Sequence, residues 1–399
     1  MPLNWNQKPF LCISTTLLTC HSTKTFEHKT LLSGTIARAA AVFCVDEIIV
    51  FDDDPSTIPP YLLKHQPKNT KKTKAELQAL VPAQDEGYQN SDQFLFHLLS
   101  YMECPPFLRV PLIPRHENLN KAGMLPSLDM PHHLRAHDWC QYREGMVEDT
   151  EEVEAYYNDN GQSSQSKKKK RPKQDAAKES IAYVACGLQY PVKARTPIPV
   201  PTKARVTIRF SDPNPPPAWP HLSREEVEAL EVDIVVPEMP REEGGFYWGY
   251  TVRKAASLSA IFTESPFEGG YDCNIGTSER GVALSSLLPI ASHPPSSDPS
   301  KTTTLPTEFS HMLLVFGGRE GLEPAVVSDP TLVAAGLTKE TTSQVFDFWV
   351  NLVPGQGSRT IRTEEAVWVG LMGLRGFLEG LDHRSRERDE GSDLDSVLG

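Results

Sequence analysis

The first fifty residues alternate between apolar runs and a helix-like repeat. Phe10–Thr19 and Cys44–Phe51 are apolar runs rich in β-branched residues, which is typical of buried strands. Between them, Lys29–Phe43 repeats apolar residues at helical spacing. A strand, a helix and a strand in this order favour a mostly parallel sheet.

The middle of the chain has a different pattern. Short β-type runs are separated there by proline, glycine and aspartate, which predicts a small β-barrel. The four clearest runs are Tyr142–Val147, Ile181–Cys186, Arg205–Phe210 and Val232–Val236. We therefore expect residues 8–104 and 246–381 to form two halves of one α/β domain, with residues 105–245 as an inserted β-rich barrel domain.

Three polar segments interrupt this scheme. A mobile insertion is expected at about 55–90, a disordered charged loop at 148–178 and a disordered tail at 382–399. The charged loop contains the basic run KKKKRPK, which is typical of a nuclear localisation signal or an RNA-contacting arm. A solvated loop explains that run equally well.

Composition limits the class of protein. The chain has 399 residues, a formal net charge of −12 and 39% hydrophobic residues, which excludes a wholly disordered or fibrous chain. No apolar run reaches the roughly 18 residues of a transmembrane helix, and the N-terminus lacks a signal-peptide pattern. Seven cysteines without a CxxC pair favour reduced intracellular thiols.

Glycine-rich turns mark the C-terminal half as the region of candidate chemistry. They lie in Tyr271–Gly281, Met312–Glu323 and Phe346–Ala366, and the last two follow strongly apolar strands. Glycines beyond the carboxyl ends of parallel strands let the backbone approach a ligand. None of the three turns matches a dinucleotide fingerprint or a phosphate loop. The missing fingerprint and the missing acidic ribose partner exclude a Rossmann oxidoreductase.

These segments, together with Ser33–Phe43, resemble the SPOUT RNA methyltransferases. The likeness is most specific to a branch with human, fungal and archaeal members. It is carried by phrases such as PHHLR, YWGYTVR, IGTSERG, VFGG and PGQGSRTIRTEEA, over roughly Pro105–Val147 and Tyr247–Leu371. The resemblance implies an α/β SPOUT fold with a C-terminal trefoil knot, interrupted by the OB-like barrel.

The resemblance also implies a function. It implies S-adenosylmethionine as cofactor, RNA as partner and a homodimer, and it favours N3 of a uridine in ribosomal RNA as the acceptor. The basic run and this class of substrate favour a nuclear or nucleolar location, with the cytoplasm as the alternative. By motif position it assigns a set of residues to the cofactor: Thr277, Phe316, Gly317, Gly318, Asn351, Val353, Pro354, Gly355, Gln356, Gly357, Ser358, Thr360 and Thr363.

Charged residues near these motifs are candidates for catalysis and substrate binding. The resemblance implies that Arg38 reaches the active site, and on a helical wheel its guanidinium is expected to be free of the apolar stripe. Arg362 and Glu364 are the other catalytic candidates, and Arg280 and Arg319 are candidates for substrate contact. Each has an ordinary alternative: a solvated arginine, or for Glu364 a favourable carboxylate at a helix N-terminus.

The remaining motifs carry less chemistry. His132, His133 and His137 lack a cysteine or carboxylate at ligand spacing, so we expect solvated or RNA-facing histidines and no metal. Tyr247, Trp248 and Tyr250 are typical of a core, although stacking on a base is an alternative. The competing hypothesis for the whole chain is a catalytically silent adaptor that kept the fold, associated with RNA or with the spindle or centromere.

Overall fold

The structure is a computed structural model that describes residues 8–14, 25–53, 91–150, 153, 180–288, 304–318 and 320–398. The predicted insertion at 55–90 and nearly all of the predicted charged loop at 148–178 lie outside these residues. No helix in the described part is long and apolar enough to cross a membrane.

Strands and helices alternate along most of the described chain. The strands are β1 (Lys8–Ser14), β2 (Glu47–Phe51), β3 (Tyr142–Val147), β4 (Ser180–Ala185), β5 (Val192–Thr196), β6 (Arg205–Phe210), β7 (Val232–Val235), β8 (Thr251–Ala255), β9 (Cys273–Ala283), β10 (His311–Phe316) and β11 (Phe348–Asn351). The helices are α1 (Phe26–Val42), α2 (Ser91–Glu103), α3 (Pro106–Leu112), α4 (Arg224–Glu228), α5 (Met239–Glu242), α6 (Leu258–Thr263), α7 (Leu284–Leu287), α8 (Glu323–Ser328), α9 (Pro330–Ala334) and α10 (Thr363–Leu398). Short 3₁₀ turns lie at 117–119, 122–124 and 342–345.

The described residues pack as two units. The first contains the residues up to Glu103, His116–Leu128 and those from Gly249 onward, and the second contains Cys104–Arg115 and Asp129–Trp248. The α/β class and the barrel predicted from the sequence are both confirmed.

A six-stranded parallel sheet forms the centre of the first unit. Its strand order is β11-β9-β10-β1-β2-β8, and every neighbouring pair is parallel. Ile48, Ile49 and Val50 are consecutive and fully buried, as expected for a strand that is covered on both faces. On one face, Ile49, Val315 and Val326 belong to a single apolar cluster. The carboxyl ends of β9, β10 and β11 therefore meet at one edge of a rigid sheet.

Helix α10 begins at that edge and carries a buried stripe. Val367, Leu371 and Leu374 are at most 5% exposed, which fits the predicted core spacing. The indole of Trp368 donates to the carbonyl of Thr35 on α1 at 3.2 Å. Helix α10 continues to Leu398, past the start of the tail expected at 382–399, and the disorder of that tail stays a prediction. The tail is rich in arginine and glutamate, which are good helix formers, although it has no apolar stripe.

The second unit is a closed five-stranded barrel with the order β3-β4-β5-β7-β6. All its pairs are antiparallel except β5 and β7, which run parallel. Predicted strands Tyr142–Val147 and Arg205–Phe210 coincide with β3 and β6, whereas Val192–Thr196 was not predicted. The barrel is filled by residues such as Val184 and Ile208.

Residues 116–128 were assigned to the insertion, and the structure packs them with the sheet unit instead. Two polar contacts give the physical reason. The side chains of Asn118 and His97 lie 2.8 Å apart, and Arg38 donates to the Leu128 carbonyl at 2.7 Å. Both partners stand on helices of the sheet unit, so these contacts hold the segment there.

Candidate functional site

A cleft of about 320 Å³ opens at the carboxyl ends of β9, β10 and β11. Its walls combine backbone of glycine-rich turns with a few apolar and charged side chains. The lining residues are Thr277, Ser278, Glu279, Arg280, Phe316, Gly317, Gly318, Glu320, Gly321, Glu323, Asn351, Leu352, Val353, Gln356, Arg359, Thr360, Ile361, Thr363 and Ala366.

The floor of the cleft is the turn that follows β10. Gly318 and Gly321 form an isolated antiparallel bridge, and Gly321 has a φ of 84°, in the left-handed region. A Cβ atom on Gly317 would lie 2.3 Å from the carbonyl carbon of Gly321, a contact that real structures do not tolerate. Glycine is therefore required at Gly317 for this turn to close.

Strand β9 supplies the second wall. The hydroxyl of Thr277 donates to the carbonyl of Val315 on β10 at 2.9 Å. The register between β9 and β11 shifts between Trp349 and Val350. A Cβ atom on Gly281 would lie 2.5 Å from the Val350 backbone, so glycine there lets β11 approach β9 closely.

The third wall is the loop from β11 to α10. The Asn351 side chain accepts from the Val353 amide at 3.0 Å and donates to the carbonyl of Glu279 at 2.8 Å. At the other end of the loop, the Thr363 hydroxyl donates to the carbonyl of Gly317 at 3.1 Å. The loop is thus tied at one end to β9 and at the other to the turn after β10.

Most of the residues assigned to the cofactor by motif position line this cleft. Pro354, Gly355, Gly357 and Ser358 do not line it, although they belong to the same loop. A Cβ atom on Gly355 or Gly357 would meet nothing within 4 Å, so both positions face open space. Their roles remain predictions.

The chain is similar to known RNA methyltransferases over most of its length. A family model described as "Putative RNA methyltransferase" matches residues 9–374. This chain belongs to that RNA methyltransferase family. A mouse 28S rRNA (uridine-N(3))-methyltransferase is 37% identical over 358 residues, which are 90% of this chain and 74% of the relative. The human enzyme of the same name is 36% identical over 88% of this chain and 73% of its own length. The Drosophila melanogaster enzyme of the same name is 34% identical over 88% of this chain and 59% of its own length. The predicted membership of an RNA methyltransferase family is confirmed.

The arginines expected to serve this methyltransferase are differently placed. The Arg38 guanidinium is not free, because it donates to the carbonyls of Ser127 and Leu128 at 3.3 and 2.7 Å. The helical wheel could not reveal these acceptors, since they are about 90 residues away. Arg38 does not line the cleft. Arg319 lies outside the described residues.

Two adjacent glutamates at the start of α10 have different contacts. Glu365 accepts from the backbone amide of Arg362 at 2.9 Å and so satisfies a donor at the start of the helix. Glu364 lies 3.9 Å from the exposed guanidinium of Arg362. Neither Arg362 nor Glu364 lines the cleft. Their catalytic roles stay predictions.

Sequence reasoning missed the carboxylate of the cleft that is most buried. Glu323 is 4% exposed, and its Oε1 lies 3.0 Å from Nη1 of Arg280. The Arg280 side chain is 67% exposed. Glu320 and Arg359 also line the cleft and were not predicted. The signal for Glu323 was its position at the end of the glycine-rich turn after β10.

The histidine pair of the barrel unit is buried, contrary to the expectation of solvated or RNA-facing rings. His132 is fully buried and His133 is 9% exposed. The ring of His132 lies 4.6 Å from that of His133 and 5.6 Å from that of Trp248. The sequence pattern could not show this because the burying partner is over a hundred residues away. Among the described residues, no three His, Cys, Asp or Glu side chains are grouped to hold a metal ion.

The aromatic residues near Trp248 have core contacts. Trp248 donates to Glu144 at 2.6 Å within the barrel unit, and Tyr250 donates to the Leu99 carbonyl at 3.0 Å within the sheet unit. Both are less than 8% exposed. The core interpretation of this cluster therefore accounts for Trp248 and Tyr250.

Proposed function

We propose that this protein transfers the methyl group of S-adenosylmethionine to N3 of a uridine in ribosomal RNA. The observation that carries the proposal is the cleft at the carboxyl ends of β9, β10 and β11, in a chain that matches an RNA methyltransferase family over residues 9–374. The names of the mouse and human relatives supply the acceptor atom and the class of RNA.

The cleft residues fit the chemical groups of the cofactor. Phe316, Val353 and Ile361 offer apolar surface for an adenine ring, and the glycine turn leaves backbone amides and carbonyls accessible. Carboxylates such as Glu320 suit the positive sulfonium and amino groups, and Arg359 suits the carboxylate of the methionine moiety. A volume of about 320 Å³ lies within the range of small-molecule sites.

The bound cofactor supplies an electrophilic methyl group on a sulfonium. The protein must orient the acceptor in line with that group, keep water out and receive the N3 proton. The tethers from Asn351 to Glu279 and from Thr363 to Gly317 hold the cleft walls in place before a ligand enters. This rigidity supports the orientation task.

The same proposal covers the finer features of the fold. The loop after β11 begins beside β9 and ends against the turn of β10, which supports a trefoil knot of the SPOUT type. The barrel has the strand order of an OB fold, whose faces and loops bind oligonucleotides. We also propose a homodimer, as the resemblance implies, and a nuclear or nucleolar site of action, which accords with an rRNA substrate.

The proposal is tested by titrating the protein with S-adenosylmethionine in a calorimeter and by methylating large-subunit rRNA with labelled cofactor. We expect micromolar binding and N3-methyluridine in the nuclease digest, identified by mass spectrometry. A different methylated nucleoside would contradict the acceptor atom. A folded protein that binds no cofactor would contradict the cofactor assignment.

A matched pair of variants on α10 locates the binding. Ala366 lines the cleft, whereas the Met372 side chain is 63% exposed. Ala366→Trp should fill the cleft and abolish cofactor binding, and Met372→Trp should leave it unchanged. Equal binding by the two variants would place the cofactor elsewhere.

A further inference from the structure

Among the described residues that line the cleft, Glu323 is the one carboxylate whose position is fixed by burial and by a charged partner. It is the first residue of α8 and is 4% exposed. Arg280 donates to its Oε1 at 3.0 Å. Among the described residues, Arg280 is the one side chain that gives this carboxylate a hydrogen bond, so Oε2 keeps its accepting capacity.

Oε2 is also confined by the glycine turn. It lies 2.3 Å from the position that a Cβ atom on Gly321 would occupy. Any side chain at Gly321 would therefore displace the carboxylate. The turn that forms the cleft floor and the carboxylate that lines the cleft are sterically matched.

We infer that Glu323 is the catalytic base of the reaction and that Arg280 positions it. This inference rests on the proposed function. In the step, the bond from sulfur to the methyl carbon breaks and its electron pair stays on sulfur. The bond from N3 to the methyl carbon forms with the electron pair that held the N3 proton. That proton passes to Oε2 of Glu323, and the resulting carboxylic acid later releases it to water.

The other cleft carboxylates suit this step less well. Glu320 lies in the exposed part of the turn, and Glu279 lies in an exposed part of β9. Glu364, the carboxylate suggested by the sequence, does not line the cleft. A base must be held within reach of the proton that it accepts. Glu323 alone combines burial, a fixed oxygen and a place on the cleft wall.

The assignment also changes the interpretation of Arg280. The sequence suggested that this arginine binds substrate. Its bond to Oε1 leaves Oε2 able to accept a proton, and its side chain is 67% exposed. Arg280 is therefore a positioning residue, and its effect on the rate depends on Glu323.

The test uses Glu323→Gln in the full-length protein. We expect kcat to fall roughly 10²–10⁴-fold, while the Kd for S-adenosylmethionine changes less than about threefold, well within one factor of ten. The lost rate should return in part at higher pH, where uridine ionises without help. It should also return in part on RNA with 5-fluorouridine at the target position, because its N3 proton is more acidic.

Each outcome decides a different question. A wild-type protein that makes no N3-methyluridine overturns the proposed function and this inference together. If the wild type makes N3-methyluridine and Glu323→Gln is equally fast, or if its deficit is the same on uridine and 5-fluorouridine, only the inference is overturned. Loss of cofactor binding by Glu323→Gln would make Glu323 a cofactor ligand and also overturn it.

Arg280→Gln serves if Glu323→Gln does not fold, since the Arg280 side chain is largely exposed. We expect kcat to fall about tenfold, which is less than the fall expected when the base itself is lost. The difference in kcat from the wild type should be smaller on RNA with 5-fluorouridine. An increase in KM for RNA with kcat unchanged would make Arg280 a substrate contact and overturn its positioning role.

Discussion

The two edges of the parallel sheet each hold a buried glutamate paired with an arginine at 3.0 Å. At the amino-terminal edge the pair is Glu47 and Arg253, and at the carboxyl-terminal edge it is Glu323 and Arg280. Both glutamate side chains are 6% exposed, but the arginine is 19% exposed in the first pair and 67% exposed in the second.

The partners of each pair explain the difference. Glu47 also accepts from the Tyr271 hydroxyl at 2.9 Å, and Arg253 donates to the same hydroxyl at 3.0 Å. Both carboxylate oxygens of Glu47 are thus bonded, and in this sense the amino-terminal pair is closed, although the buried Nη1 of Arg253 has no hydrogen-bond partner. Among the described residues, Oε2 of Glu323 has no such partner. A glutamate and an arginine stabilise the fold where both carboxylate oxygens are bonded. Where only one oxygen is bonded, the other can accept a proton.

The variant with the largest expected effect on stability removes the charge of Glu47 at the amino-terminal edge. Glu47→Gln leaves Arg253 without its buried counter-charge, so we expect the free energy of unfolding to fall by about 3 kcal/mol. Urea denaturation measures it. Glu323→Gln is the matched control and should cost less than about 1 kcal/mol, because Arg280 can turn to solvent. Equal losses in the two variants would contradict the comparison.

The second test disturbs the glycine turn at the carboxyl-terminal edge of the sheet. Gly317→Ala places a methyl group against the Gly321 backbone, which cannot move aside without opening the turn. We expect a loss of about 1–3 kcal/mol in stability and at least a roughly tenfold weaker Kd for the cofactor. Thermal unfolding and calorimetry measure the two effects.

Gly123→Ala is the control for that glycine. Gly123 lies in the 3₁₀ turn at 122–124 and does not line the cleft, and a Cβ atom added there meets nothing within 4 Å. Its effect on stability should stay within about 0.5 kcal/mol, with cofactor affinity unchanged. If Gly123→Ala weakens binding as much as Gly317→Ala, the loss at Gly317 does not come from the glycine turn.

The comparison also shows what the sequence could reveal. Strands such as β3 and β6 were predicted with their bounds because apolar alternation ends there at turn residues, which is a local signal. The cleft was predicted from three glycine-rich turns, since parallel strands bring their carboxyl ends to one edge. Both predictions depend on residues that are near one another in the chain.

The contacts of the candidate site residues are not local. Glu323 meets Arg280 across 43 residues, and Arg38 meets Leu128 across 90. Spacing and helical periodicity contain no information on such partners. For this reason the sequence named Arg280 without its glutamate, and it described the Arg38 guanidinium as free.

The smallest expected effect is the pH dependence of stability that comes from Tyr271 at the amino-terminal edge. Burial, and then the Glu47 carboxylate, raise the pKa of the Tyr271 phenol above its ordinary value of 10. A group with a raised pKa in the folded state gives stability that is complete below the unfolded value and is lost as the pH rises above it. The wild type should therefore lose up to about 1.4 kcal/mol per pH unit above pH 10 through this group.

Tyr271→Phe removes that ionisation. At pH 8 the variant should be less stable than the wild type by about 1–2 kcal/mol, because Glu47 and Arg253 lose a hydrogen-bond partner. As the pH rises from 10, the difference between the two proteins should narrow, which urea denaturation at a series of pH values measures. A difference that stays constant from pH 8 to the alkaline limit would mean that the phenol ionises alike in the folded and unfolded chains. The network at the amino-terminal edge would then be open to water, and burial could no longer distinguish it from the pair in the cleft.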